Sequence, residues 1–184
     1  MTHADLINVT ADLVEAKTYA EVGLCFGTRF DEVEIPSKYG IGPDAALSPY
    51  FKMTVAEFHR AYTGVYFDIL YLDGLPLGYS ECKLNAFHSL DWMKPNSVFV
   101  IRGVWPPRRH ALSPAAQVFA ELLSDDKCSG FSIPDDNGLG VLMLRRSVHP
   151  LPPIGFSRKY LREHPEILNQ SRNFADGWLE LMAR

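Results

Sequence analysis

Cysteine is scarce and scattered in this chain: Cys25, Cys82 and Cys128 are odd in number and far apart. That argues against a disulfide framework and against the close thiol pairs of a structural zinc site. It also makes the reducing cytoplasm the expected compartment. Long hydrophobic runs are missing, so no stretch reaches the roughly 20 apolar residues that a membrane-spanning helix needs. The first residues, Met-Thr-His-Ala-Asp, have neither the positive start nor the apolar core of a signal peptide. Basic residues are outnumbered, with 18 Lys and Arg against 22 Asp and Glu and a net charge of −4. Such a balance speaks against broad binding of nucleic acid or of an anionic membrane. Low-complexity tracts, blocks of one charge and repeats of solenoid period are also lacking, which argues against disorder and repeat architectures.

What remains is an ordinary globular composition, 47% hydrophobic and 22% charged over 184 residues. It is enough for a single domain, 1–184, around one core. Thr2 with Asp5 forms a capping arrangement, and Leu6, Val9, Leu13 and Val14 recur at helical spacing, giving a helix over about 3–16. A short helix around Tyr19–Phe26 and a strand near Asp31–Ile35 come next. Residues 36–50, with Pro36, Gly40, Gly42, Pro43 and Pro49, read as a long loop. Thr54 and Glu57 form a capping box ahead of Val55, Phe58 and Tyr62.

Residues 65–84 read as two β-strands folded about Asp73-Gly74, a strong hairpin signal between β-prone runs. Ser97–Val104 is a central strand, stopped by Trp105-Pro106-Pro107. Ser113-Pro114 starts a helix whose buried stripe is Val118, Phe119, Leu122 and Leu123. Phe131–Ile133 is a short strand, Val141–Leu144 fits either state, and Pro165–Met182 is a final helix. The expected fold is α+β, with a mainly antiparallel central sheet and flanking helices.

Hairpin, strand, basic turn, helix, short strand and then Gly155-Phe156 is an order that resembles the GNAT superfamily of acyl-CoA-dependent N-acyltransferases over residues 65–160. The residues that carry it are Asp73–Gly78, Val98–Val104, Pro107-Arg108-Arg109-His110 and Ser113–Leu123. The resemblance implies an acyl group passed from acyl-CoA, or an acyl carrier protein, to an amine on a small molecule or protein. The coenzyme phosphates would lie at Val104, Arg108, Arg109, His110 and Ser113. A helix N-terminus beside arginines is in any case a natural anion site. Acyl transfer to an amine needs a base and an acid. Glu81 and His88 are the candidate bases, and Tyr160 or Tyr79 the candidate acid. The basic turn has no glycine where that family has them, which keeps open a non-catalytic regulatory or protein-binding module of the same fold.

A third reading uses the hairpin itself. Asp68 and Glu81-Cys82-Lys83 match the D…(E/D)-x-K pattern of PD-(D/E)xK nucleases, in which two carboxylates hold Mg²⁺. A two-residue turn would set Asp68 diagonal to Glu81 on one sheet face. His88 and Asp91 stand three apart on a helical stretch and resemble a metal-ligand pair, but the sequence supplies no third ligand at a matching spacing. Ser113 lies outside any Gly-x-Ser-x-Gly elbow, and no cysteine has a neighbouring histidine, so neither reads as a nucleophile.

Overall fold

The computed structural model describes residues 2–23, 29–43, 50–105, 113–124, 128–133 and 137–144. Three of its four described helices begin where short polar side chains satisfy the first orphan N–H groups. Ahead of α1 (His3–Val14), the Thr2 hydroxyl accepts the Asp5 N–H at 3.1 Å and the Asp5 carboxylate accepts the Thr2 N–H at 2.8 Å. The capping box therefore works with Asp in the place usually taken by Glu or Gln. Thr54 and Glu57 repeat the exchange before α2 (Val55–Ala61). Ser113 accepts the Ala116 N–H at 2.9 Å to open α4 (Pro114–Leu123), with Pro114 in the first turn. At α3 (Tyr79–Leu90) the N-cap is Gly78, which offers no side chain.

Seven strands form one sheet in the order β3-β2-β1-β4-β5-β7-β6. They are β1 (Thr18–Val22), β2 (Ser37–Ile41), β3 (Tyr50–Phe51), β4 (Phe67–Asp73), β5 (Met93–Arg102), β6 (Cys128–Ile133) and β7 (Leu139–Leu144). From β3 to β5 every pairing is parallel, and β7 runs antiparallel to both β5 and β6. Parallel neighbours require crossovers, which put cover on both faces and make the strands apolar throughout. β4 obeys: Ile69, Leu70, Tyr71 and Leu72 are all fully buried. Leu70, Leu72, Phe99 and Ile101 face a core shared with Phe58, Cys82, Ala86, Val118 and Phe119 of α2, α3 and α4. Ile69, Tyr71, Val98 and Val100 face the opposite core, with Leu6 and Ile7 of α1 and Phe30 of a 3₁₀ turn at Arg29–Glu32.

Several sequence expectations are corrected. Residues 65–84 are not a hairpin: Asp73-Gly74 leads from β4 into α3, and the chain returns as β5 parallel to β4. The fold is α/β with a mixed, mostly parallel sheet, rather than antiparallel α+β. The helix expected at Tyr19–Phe26 is β1 over its described part, Asp31–Ile35 holds part of the 3₁₀ turn, and the 36–50 loop contains β2. The two capping boxes, the central strand near 97–104 and the helix from Pro114 are as the sequence indicated, and Val141–Leu144 resolves as strand. The final helix at 165–182 lies outside the described residues. Among those residues no helix is long and apolar enough to cross a membrane.

A side-chain device and a close backbone approach fix the two ends of β4. At the amino end, Asp68 Oδ2 accepts the N–H groups of Lys17 (2.8 Å) and Thr18 (2.9 Å) and the Thr18 hydroxyl (2.9 Å), while Oδ1 pairs with Lys94. Burial pushes this carboxyl up, but those donors outweigh it and hold the group at about 2, against an ordinary 3.8. At the carboxyl end, Gly74 is so tightly enclosed that a Cβ would lie 2.7 Å from Ala115 Cβ and 2.8 Å from the Arg102 carbonyl oxygen.

Gly74→Ala should therefore cost roughly 1–3 kcal/mol by forcing α4 and β5 away from this turn. Gly78→Ser, where a Cβ meets nothing within 4 Å, should add a few tenths of a kcal/mol by supplying the missing cap. Urea unfolding of both variants checks the pair. Because the Asp68 pKa is depressed, its stabilisation is present above about pH 4 and lost as pH falls toward about 2. Asp68→Asn should lower stability at neutral pH by about 1–2 kcal/mol and flatten the acid limb between those values. Denaturation midpoints measured from pH 7 to pH 2 read the difference.

Candidate functional site

In an open, largely parallel sheet, ligands bind beyond the carboxyl ends of the strands where the strand order reverses. Here the order runs outward from β1 through β2 and β3 on one side, and from β4 through β5 on the other. The reversal lies between β1 and β4. The chain leaves these two strands in opposite directions, the arrangement that opens a crevice between carboxyl ends in sheets of this kind.

The residues at this crevice suit close approach of a ligand. Gly23 comes directly after β1 at φ +79, a conformation that other residues adopt at a cost. Its N–H bonds the Ile41 carbonyl at 3.0 Å, so the turn is anchored to β2. A Cβ on Gly23 would point to the Asp73 carbonyl oxygen at 3.6 Å, which places the ends of β1 and β4 side by side. Gly103, after β5, is also at positive φ, +88. Three strand ends, β1, β4 and β5, thus meet at or next to glycine.

Two buried carboxylates share the face of the sheet that runs up to this edge. Glu21, fully buried, accepts a hydrogen bond from the Tyr19 hydroxyl at 3.0 Å. Asp73, the last residue of β4, is 3% exposed. Its Oδ1 accepts the Leu75 N–H at 3.2 Å and its Oδ2 meets Arg102 at 3.3 Å. Asp73 and Arg102 are register partners on β4 and β5, so the pair is a cross-strand contact that fixes the carboxylate in place. The edge therefore offers glycine backbone for close approach, with two buried carboxyl groups held behind it by defined partners.

The sequence singled out other residues, and the fold scatters them. Glu81 is exposed in the first turn of α3, not on a strand. Asp68 lies at the other end of β4, about 16 Å of strand from Asp73, with its oxygens already committed. The nuclease constellation is thereby dismantled. Lys83, its third member, instead pairs with buried Glu121 of α4 at 2.9 Å and contacts the Tyr79 hydroxyl at 3.1 Å. Tyr79 donates to Glu121 at 2.5 Å, so the three bind α3 to α4. Burial pushes the Tyr79 hydroxyl above its ordinary value, with the Glu121 hydrogen bond adding to the effect.

Val104 is 2% exposed and its N–H bonds the Gly138 carbonyl at 3.1 Å. The Ser113 hydroxyl is used twice, accepting from Ala116 and donating to the Gly103 carbonyl. Neither group is aimed at a coenzyme phosphate. Arg108, Arg109, His110 and Tyr160 lie outside the described residues. His88 stands at the last turn of α3, at the amino edge of the sheet and far from the crevice. Burial pushes the Cys82 thiol up to about 12, which keeps it protonated and unreactive.

Sequence reasoning missed Glu21, Gly23, Asp73 and Gly103 as a group. The signal was there in part. Ile69–Leu72 is a continuous apolar run, which marks a strand buried on both faces more than a half-exposed hairpin arm. Cys82, Ala86 and Leu90 then recur at helical spacing, which contradicts a second strand.

No protein-family model matches the sequence, and no curated protein matches it. The fold itself has clear likenesses among solved structures. An O-methyltransferase from Bacillus cereus in complex with SAH superimposes with a TM-score of 0.58 at 9% identity, over 77% of this chain and 80% of that one. The O-methyltransferase TomG from Streptomyces achromogenes, involved in tomaymycin synthesis and bound to SAM, gives 0.57 at 13%, over 77% and 79%. CalS10 from Micromonospora echinaspora, a SAM-bound amino pentose methyltransferase, gives 0.56 at 14%, over 78% and 92%. These likenesses overturn the GNAT resemblance and, with it, acyl-CoA as the cofactor and acyl transfer as the reaction. They support neither the regulatory module nor the nuclease. At such identities they establish the architecture alone, a Rossmann-like α/β sheet with flanking helices.

Proposed function

We propose that this chain binds S-adenosylmethionine (SAM) at the carboxyl edge of β1 and β4 and methylates a small-molecule acceptor. The observation that carries the reading is the strand-order reversal at Gly23 and Asp73, in a fold whose solved likenesses include SAM- and SAH-bound methyltransferases. Several of those likenesses are O-methyltransferases, so an oxygen acceptor is the class to test first.

The residues present fit such a cofactor. Gly23 offers backbone without a side chain at the end of β1, which lets a nucleoside approach closely. When bound, SAM supplies an electrophilic methyl group on a positively charged sulfonium. Asp73, held by the Leu75 N–H and the Arg102 guanidinium, sets the shape of the strand end beside Gly23. Both partners are fixed before any ligand arrives, so little reorganisation is needed on binding.

Calorimetric titration with SAM and SAH tests this. Both should bind, and Asp73→Asn, which breaks the cross-strand pair with Arg102 at the binding edge, should weaken SAM and SAH alike by at least tenfold, about 1.4 kcal/mol. Gly23→Val, which places a β-branched side chain at positive φ in the crevice, should abolish binding of both. Absence of heat and of thermal stabilisation with either compound at millimolar concentration would overturn the proposal.

A further inference from the structure

The pair His88 and Asp91 gains in the fold the third ligand that its sequence spacing lacked. His59, on α2, brings its Nε2 to 2.7 Å from Asp91 Oδ2, and its ring centroid lies 4.2 Å from that of His88. One ligand atom from each of the three residues lies within 4.8 Å of the others. All three side chains are partly exposed. A tetrahedral ion with bonds of 2.0–2.2 Å needs donors about 3.4 Å apart, so small rotations of two rings close the set.

The ligands stand on a firm base. α2 is held against the start of β5 by Phe58, whose ring meets Trp92 edge-on at 4.8 Å, with both side chains buried. Trp92 is the next residue after Asp91, and its carbonyl accepts the Phe67 N–H at 2.8 Å. The three donors thus come from two packed helices and a helix cap, not from a wandering loop. They lie at the amino edge of the sheet, about 18 Å along α3 from its start beside Asp73.

We propose that His59, His88 and Asp91 form a binding site for a borderline divalent transition cation of the Zn²⁺ class, which clamps α2 to α3. Two imidazoles and one carboxylate match that class, whereas Mg²⁺ and Ca²⁺ ask for six or more oxygens. Side-chain exposures of 32% for His59 and 25% for Asp91 leave the fourth position open to water. The alternative is a charge-assisted hydrogen bond between His59 and Asp91 with His88 merely tilted against the His59 ring. This site stands apart from the crevice and does not rest on the cofactor reading.

The test uses the untagged full chain after chelator treatment. Titration with Co²⁺ should raise the visible absorption of a tetrahedral nitrogen–oxygen site, bleached by one equivalent of Zn²⁺. Zn²⁺ should raise Tm by several degrees through mass action, with no response to Mg²⁺. His59→Gln, His88→Gln and Asp91→Asn should each weaken Co²⁺ binding at least tenfold. The proposal fails if Co²⁺ gives no such spectrum, if a thiolate charge-transfer band places the ion on a cysteine, if Mg²⁺ acts equally, or if the substitutions leave affinity unchanged. The wild-type spectrum decides even where a substituted chain does not fold.

Discussion

Burial of β4 and β5 on both faces is the constraint on which most of this structure depends. A strand with four consecutive fully buried residues, Ile69 to Leu72, cannot lie at a wet sheet surface, and parallel pairing with β5 forces the connection to cross over the sheet. α3 is that crossover, and its buried Cys82 and Ala86 pack onto Leu70, Leu72 and Phe99. The same pairing puts Asp73 beside Arg102 and encloses Gly74 against α4. The end of β4 is consequently stiff, and a stiff strand end is what a binding edge requires.

The two edges of the sheet divide the molecule's polar chemistry. At the carboxyl edge, glycines at positive φ and buried carboxylates surround the strand-order reversal. At the amino edge, Asp68 stitches β1 to β4 and Lys94, while His59, His88 and Asp91 gather between α2 and α3. Asp68 shows how a carboxylate can look catalytic and be structural: with three donors on one oxygen and a lysine on the other, it has no capacity left for a metal. Glu121 is the same case on the helical face, since Lys83 and Tyr79 take both its oxygens.

Local signals in the sequence were reliable where the physics is local. The reciprocal caps Thr2–Asp5 and Thr54–Glu57, the Ser113-Pro114 helix start and the β-prone Ser97–Val104 run each depend on residues a few positions apart, and each formed as read. Asp73-Gly74 failed because a turn signal does not specify the element that the turn leads into. The same two residues can reverse a hairpin or open onto a helix, and the choice lies with burial of the run beyond. Treating Tyr79–Lys83 as a strand then carried Glu81 to a face it does not occupy and produced both the acyltransferase order and the nuclease cluster. His88 and Asp91 were visible as a pair, but His59, on a separate helix, joins them only through the packing of α2 on α3.

By itself, the sequence determined the helix starts, the central β5 run, the acidic balance and the scarcity of thiols, since composition and capping need no partner distant in the chain. Only the tertiary structure decided strand direction, the reversal between β1 and β4, and the meeting of Gly23 with Asp73 and of His59 with His88 and Asp91. The physical reason is that parallel pairing and helix-on-helix packing join residues tens of positions apart. Their energy comes from burying two faces of one sheet at once, a quantity that no short window of residues contains.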